Sequence, residues 1–223
     1  MMLQIHGYPF LYYVLKLLAS KGLRRVVICV AYRAQAIMDY VRDGKWLDLE
    51  VSYCYDGSQI PGWPVGTAAA LRHALPQLGD HFWTVNGDTY ADIDYSAMYR
   101  HYRSGKSPSL IAVYKNDNRR WPSNVALLPD GRCTYRKRSW TSGGFSYIDT
   151  GTCILEASIL NAHIQYSSLS ELFEYLGDCG RLAAYEVNAR FYEINTPDSL
   201  EETAHHLTDI GEYDRRRSYG ILG

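Results

Sequence analysis

The sequence predicts an α/β fold with a mostly parallel central sheet, and three observations carry that expectation. Helical and strand-like patterns alternate through the first half in the order αβαβαβα, the signature of a parallel sheet covered by helices. Its strand-like segments are short, apolar and β-branched, as in strands buried beneath helices. With 223 residues, 47% apolar and 21% charged, the chain can bury a sizeable core and is too apolar for disorder.

Taken in order, Phe10 to Ser20 sets Leu11, Val14, Leu15 and Leu18 at helical spacing, and Gly22 follows as a C-terminal cap. Arg25 to Val30 is a β-branched strand, and Ala34 to Asp43 is again helical. Leu49 to Tyr55 alternates as a strand and runs into a turn-rich stretch from Asp56 to Gly66. Thr67 to Leu75 has the Ala and Leu content of a helix. Phe82 to Asn86 is an apolar strand stopping at Gly87-Asp88, and Tyr95 to Arg103 is helical. From Ser109 the texture becomes α+β, with short strands at Leu110 to Tyr114, Asn124 to Leu128 and Arg132 to Tyr135. Helices follow at Leu169 to Leu176 and Ser199 to His206, and the tail around Tyr213 to Arg217 is polar. No Gly/Ser/Pro linker parts the textures, so residues 1–223 read as one domain of two halves meeting near residue 108, with a tail from 208.

Composition excludes several classes. With 23 Lys+Arg against 24 Asp+Glu and a pI near 6.6, no broad basic field is available to grip nucleic acid. The five cysteines are odd in number, widely spaced and without a CxxC pair, which argues against a disulfide framework or zinc ribbon and suits a reducing cytoplasm. The first apolar run is broken by Lys16 and too short to span a bilayer, so no membrane partner is expected. The 20 Tyr fit either polar ligand chemistry or dispersed core positions. Nothing in the sequence sets an oligomeric state, and a homo-oligomer is compatible with it.

Four stretches carry candidate chemistry. Asp88 directly follows a buried strand, where ligands collect in open parallel sheets; it suits a divalent cation or the cap of a turn, with Gly87 allowing close backbone approach. Gly66 and Thr67 open an Ala-rich helix whose free N–H groups suit an anion or a base edge, or are a plain helix start. Near Thr196 and Asp198, both candidate helix caps, Glu193 is either a second ligand to the same metal or one partner of a salt bridge. Asp149 and the basic run Arg136-Lys137-Arg138 suit a sugar phosphate, as hydroxyl acceptor and charge compensation, or form a solvated turn.

Together, VGTAAALRHALPQLGDHFWTVNGDTYADID, YRKR, YIDTGTCIL and FYEINTPDSLEE, in this order and spacing, resemble the sugar-1-phosphate nucleotidyltransferase family, and within it the short bacterial, heptose-1-phosphate guanylyltransferase-like type. The resemblance implies a Rossmann-like α/β/α sandwich of the GT-A-like nucleotidyltransferase kind. It also implies Mg²⁺-dependent transfer of a nucleotidyl group from a nucleoside triphosphate to a sugar 1-phosphate, with release of pyrophosphate. On this resemblance residues 1–108 are the nucleotide-binding half and 109–207 the sugar-phosphate half. Asp88 and Glu193 match the metal-binding carboxylates, with Glu193 standing where an Asp is usual. Asp56, Gly66, Thr67, Gly87 and Asp88 match the nucleotide-binding positions. Ser123, Lys137, Asp149 and Gly151 match the sugar-phosphate positions, with Lys137 and Asp88 in catalytic roles. An acidic Asp56 suits the N1–H and amino donors of guanine, a lean towards GTP.

The resemblance further implies that a strand, a GGxGTRL loop and a PKP lysine are missing ahead of Met2-Leu3-Gln4-Ile5, and that buried ladder groups lose their partner. Two other readings follow: a nucleotide- or nucleotide-sugar-binding or regulatory homologue with impaired catalysis, and a glycosyltransferase with a D-x-D site at Asp88, Asp92 or Asp94.

Overall fold

In the computed structural model, residues 1–57, 65–116, 121–137 and 144–208 are described. Parts of the Gly62–Gly66 loop, Arg138 and the tail beyond Thr208 therefore lie outside the described residues. A small hairpin of β1 (Gln4–Ile5) and β2 (Tyr8–Pro9) leads into α1 (Phe10–Ser20), most of whose residues are buried. Lys21 caps α1, and Gly22, at φ +86°, takes the left-handed position that ends it. Then come β3 (Arg25–Val30), α2 (Ala34–Val41), β4 (Glu50–Tyr55) and α3 (Thr67–Ala74). β5 (His81–Val85), β6 (Thr89–Ala91) and α4 (Tyr95–Ser104) complete the first half. The second half is β7 (Ser109–Lys115), β8 (Val125–Leu127), β9 (Cys133–Tyr135), β10 (Tyr147–Glu156), α5 (Ala157–Ala162), α6 (Leu169–Asp178), β11 (Ala183–Val187), β12 (Phe191–Glu193) and α7 (Pro197–His206).

The α/β class stands, but the strand directions are mixed where a mostly parallel sheet was expected. β3 and β4 are parallel, with Arg25 opposite Glu50 through Val30 opposite Tyr55, as their helical crossover requires. The largest sheet runs β11-β7-β10-β8-β9, with β5 also on β10; only β11–β7 is parallel. Alternation of helix and strand foretold the first parallel pair. It could not foretell that β5 would leave that pair and join β10 of the other half in the opposite direction. Among the described residues β3 pairs with β4 alone, and β5 with β10 alone.

Alternate residues of β7 and β10 feed two cores, because successive side chains of a strand point to opposite faces. Leu110, Ala112 and Ile154 join α1 and α4 on one side; Ile111, Val113, Cys153 and Leu155 join α3, α5 and α6 on the other. The result is the three-layer α/β/α arrangement. Many of the tyrosines serve this packing: Tyr12, Tyr13, Tyr90, Tyr95 and Tyr135 are buried.

On α6, Gly177 lies against β9, where a Cβ would stand 3.2 Å from the Tyr135 nitrogen and 3.3 Å from the Cys133 oxygen. Alanine would add about 1 kcal/mol of helix propensity, but overpacking against a strand backbone costs about 1–3 kcal/mol. Gly177→Ala is therefore expected to lower the unfolding free energy by about 1 kcal/mol in a denaturant titration, despite its better helix former.

Candidate active site

β5 ends at Val85 and the chain turns through Asn86-Gly87-Asp88 into β6. β6 pairs antiparallel with β12, Thr89 opposite Glu193, so Asp88 and Glu193 become neighbours although 105 residues part them in sequence (193 − 88). The Ile194 N–H donates to the Asp88 carbonyl at 3.3 Å, and the Thr89 hydroxyl donates to Asp88 Oδ1 at 3.2 Å. From α7, the Thr203 hydroxyl holds the Glu193 carbonyl at 2.7 Å. Burial raises the pKa of the Glu193 carboxyl, and the negative Asp88 beside it raises it further, against a hydrogen bond from Asn195.

Asp149 joins this pair from β10. Opposite β7 the register jumps, Asp149 facing Val113 and Cys153 facing Ile111, so three residues of β10 stand against Ala112 alone. Such bulges re-aim side chains beside functional sites. Gly151, at φ +75°, makes the turn; its N–H donates to Asp149 Oδ1 at 2.8 Å and its carbonyl accepts the Asn86 N–H at 2.9 Å. A side chain at Gly151 would meet Asn86 Nδ2 at 2.6 Å. Burial pushes the Asp149 carboxyl up to about 6, with the Gly151 N–H opposing and the Glu193 charge adding. Glu193 thus stands between two other carboxylates, beside Asp88 at the turn after β5 and near Asp149 of β10.

The other expected positions are placed variously. Asp56 follows β4 directly as a buried side chain; burial raises the Cys29 and Cys54 thiols, and the nearby Asp56 charge raises them further. Gly87 has the Met1 side chain packed over it, where a Cβ would stand. Lys137 is exposed on the turn after β9, its backbone N–H donating to Glu174 Oε1 on α6 at 2.8 Å. Ser123 is fully buried and accepts from Asn116 Nδ2 at 3.1 Å, so its hydroxyl faces the interior. The free helix N-terminus expected at Gly66 and Thr67 is not free: the Ala68 and Ala69 N–H groups both donate to the Ser167 carbonyl, at 2.9 and 3.1 Å. Thr67 Oγ1 accepts the Leu169 N–H at 2.8 Å. Thr196, rather than Asp198, caps α7, in a capping box with Ser199.

Two site residues gave no sequence signal beyond being polar residues at turns. Asn86 fills the space that Gly151 leaves open. Asn124 Oδ1 accepts the Asp149 N–H at 2.9 Å while its carbonyl takes the Arg136 N–H at 2.8 Å, so one residue ties Asp149 to the turn of Lys137. Asp92 and Asp94 are otherwise engaged: Asp92 pairs with Lys21, and Asp94 accepts the Ala97 N–H at 2.8 Å as the N-cap of α4. That removes support for a D-x-D cation site. Among the described residues no group of three or more His, Cys, Asp and Glu is arranged to hold a metal by itself.

Fold and site define an α/β/α protein with clustered carboxylates beyond the carboxyl end of β5. Residues 1–121 match the family model for Nucleotidyl transferase, and the chain belongs to that family. The D-glycero-alpha-D-manno-heptose 1-phosphate guanylyltransferase of Campylobacter jejuni is 29% identical over 97 residues, 44% of this chain and 41% of the relative. The UTP--glucose-1-phosphate uridylyltransferase of Synechocystis is 26% identical over 204 residues, 85% of this chain and 52% of the relative. The chain thus spans about half the length of these curated relatives. In fold it is similar to the crystal structure of HddC from Yersinia pseudotuberculosis, also solved complexed with GMP-PN: TM-score 0.74, 24% identity, 92% of this chain and 88% of that one.

Asp149 has a stability consequence of definite sign. Its folded pKa of about 6 lies above the unfolded value of about 3.9, so its ionisation reduces stability progressively as pH rises between these values and fully above them. Asp149→Asn keeps the acceptor for Gly151 and removes the charge. It should stabilise the protein by about 1–2 kcal/mol at pH 7.5 and by almost nothing at pH 4; equal melting temperatures at pH 7.5 would contradict this.

Proposed function

We propose that the protein transfers a nucleotidyl group from a nucleoside triphosphate to a sugar 1-phosphate, giving a nucleotide sugar and pyrophosphate. The observation that carries this reading is the β6–β12 pairing that sets Asp88 beside Glu193, with Asp149 near Glu193. A carboxylate whose proton affinity is raised by burial and by a neighbouring carboxylate, as at Glu193 beside Asp88, suits a hard divalent cation, and Mg²⁺ commonly takes one or two carboxylates plus substrate phosphates. Asp88 and Glu193 would hold it, and when bound it supplies neutralisation of phosphate charge.

The remaining work falls to this chain's own residues. Asp149 accepts a sugar hydroxyl, held in place by the Asn124 side chain and the Gly151 N–H. Lys137 offers positive charge to the sugar phosphate from a turn anchored on α6. A sugar phosphate oxygen attacks the α-phosphorus, the bond to the bridging oxygen breaks, and pyrophosphate leaves with that electron pair. Such a transfer rests on positioning and charge compensation and needs no protein nucleophile. The thiols fit that: burial pushes Cys29 up to about 11 and Cys133 and Cys153 up to about 12, far from thiolate formation. Asp56, with Gly66 and Thr67, would receive the base and ribose, and its carboxylate matches the donors of guanine; guanylyltransferases among the relatives support GTP. The two halves meeting near residue 108 would serve nucleotide and sugar phosphate respectively.

Pyrophosphate release with Mg²⁺, the four nucleoside triphosphates and a panel of sugar 1-phosphates tests this. Activity is expected with GTP foremost, lowered about 100-fold by Asp88→Asn or Glu193→Gln. It should fall as pH drops below about 6, where Asp149 gains its proton. Silence across the panel, together with no nucleotide-dependent thermal shift, would overturn the proposal.

A further inference from the structure

The segment from Tyr166 to Leu169, which leads into α6, crosses directly over the start of α3. Gly66 and Ser167 touch so closely that a Cβ on Gly66 would stand 2.4 Å from the Ser167 carbonyl oxygen. That oxygen takes two α3 N–H groups, and Thr67 Oγ1 takes the N–H of Leu169. Arg72, one turn further along α3, donates from Nη2 to the Tyr166 carbonyl at 2.9 Å. Successive carbonyls, of Tyr166 and Ser167, are therefore both drawn onto the same helix. Among the described residues the other terminal nitrogen, Arg72 Nη1, is buried without an acceptor. A half-satisfied guanidinium is a poor way to gain stability, since an unmade hydrogen bond to a buried charged donor costs more than a neutral one.

We propose that Arg72 is a positioning residue for the nucleotide. Resting on the nucleotidyltransferase reading above, it holds the Tyr166–Leu169 segment over Gly66 and Thr67 and so keeps the base-and-ribose loop in its binding shape. Without the guanidinium, the Tyr166 carbonyl loses its donor, the segment lifts more often, and the Ala68 and Ala69 N–H groups open with it. A loop that is binding-competent only part of the time binds in proportion to that fraction.

The test compares wild type, Arg72→Gln and Arg72→Lys in GTP titrations by calorimetry with Mg²⁺, in steady-state kinetics, and in amide exchange at Ala68 and Ala69. Arg72→Gln is expected to weaken GTP binding and raise the GTP KM about 10-fold, leave kcat within about twofold, and speed exchange at both amides. Arg72→Lys, which keeps a cationic donor within reach of the Tyr166 carbonyl, should recover most of the affinity. A lowered melting temperature with GTP affinity unchanged would make the contact merely structural and overturn the proposal. Unchanged exchange at Ala68 and Ala69 would overturn it as well. A wild type that binds no nucleoside triphosphate would instead overturn the nucleotidyltransferase reading, and this inference with it.

Discussion

Strand β10 pairs with β5, β7 and β8, and its irregularity at Thr150-Gly151-Thr152 sets the geometry around Asp149 and the Asp88 turn. On either side of the bulge the register is locked: Tyr147 to Asp149 against Lys115 to Val113, and Cys153 to Leu155 against Ile111 to Ser109. The extra residues cannot slide, and the Thr150 hydroxyl stitches them to the Ala112 carbonyl at 3.1 Å. Because Gly151 reaches across to the Asn86 N–H, the height of the turn that carries Asp88 follows from the bulge. A displacement at Gly151 would therefore reach Asp149 directly and Asp88 through Asn86, which makes this glycine a backbone requirement rather than a space filler.

The charges around the site are distributed unevenly. Asp92 is matched by Lys21, Glu202 by a bidentate contact from Arg190, and Asp94 by the first turn of α4. Asp88, Glu193 and Asp149 make no ion pair with Lys or Arg among the described residues. Burial and the neighbouring negative charges favour the protonated forms of Asp149 and Glu193, a cost to the fold that positive charge beside them would relieve. Functional sites commonly depart from the stability optimum in this way.

Much of this was legible before any coordinates. Helical spacing located α1, α3, α4 and α6 closely, and apolar runs located β3, β4, β5 and β7, since local periodicity decides such elements. Strand β10 escaped the pattern because Asp149, Thr150, Gly151 and Thr152 interrupt its apolar run, and those are the residues of its bulge. Asp88 and Glu193 could be named from their place at strand ends, and Asp149 from its pairing with a basic run. Their meeting could not be read from spacing, because it depends on the register of β6 against β12, a contact between strands far apart in the sequence. Asn86 and Asn124 were invisible for a related reason: an Asn in a turn looks the same whether it serves the turn or reaches across a sheet.

The start of α3 shows how a local rule can be right about chemistry and wrong about availability. A glycine ahead of an Ala-rich helix does present unpaired N–H groups and the positive end of the helix dipole. Here a carbonyl from 100 residues further along (167 − 67) reaches two of them first. What is left at Thr67 is a hydroxyl that already accepts one hydrogen bond and retains its own proton to donate. The same segment ends at Ser168, which caps α6 in a box with Glu171, and Glu174 on that helix holds the turn of Lys137. One short helix therefore supports a loop from the first half at its start and a turn from the second half along its side. The two contacts make α6 a shared support, so the placement of Thr67 and of Lys137 depends on the same helix.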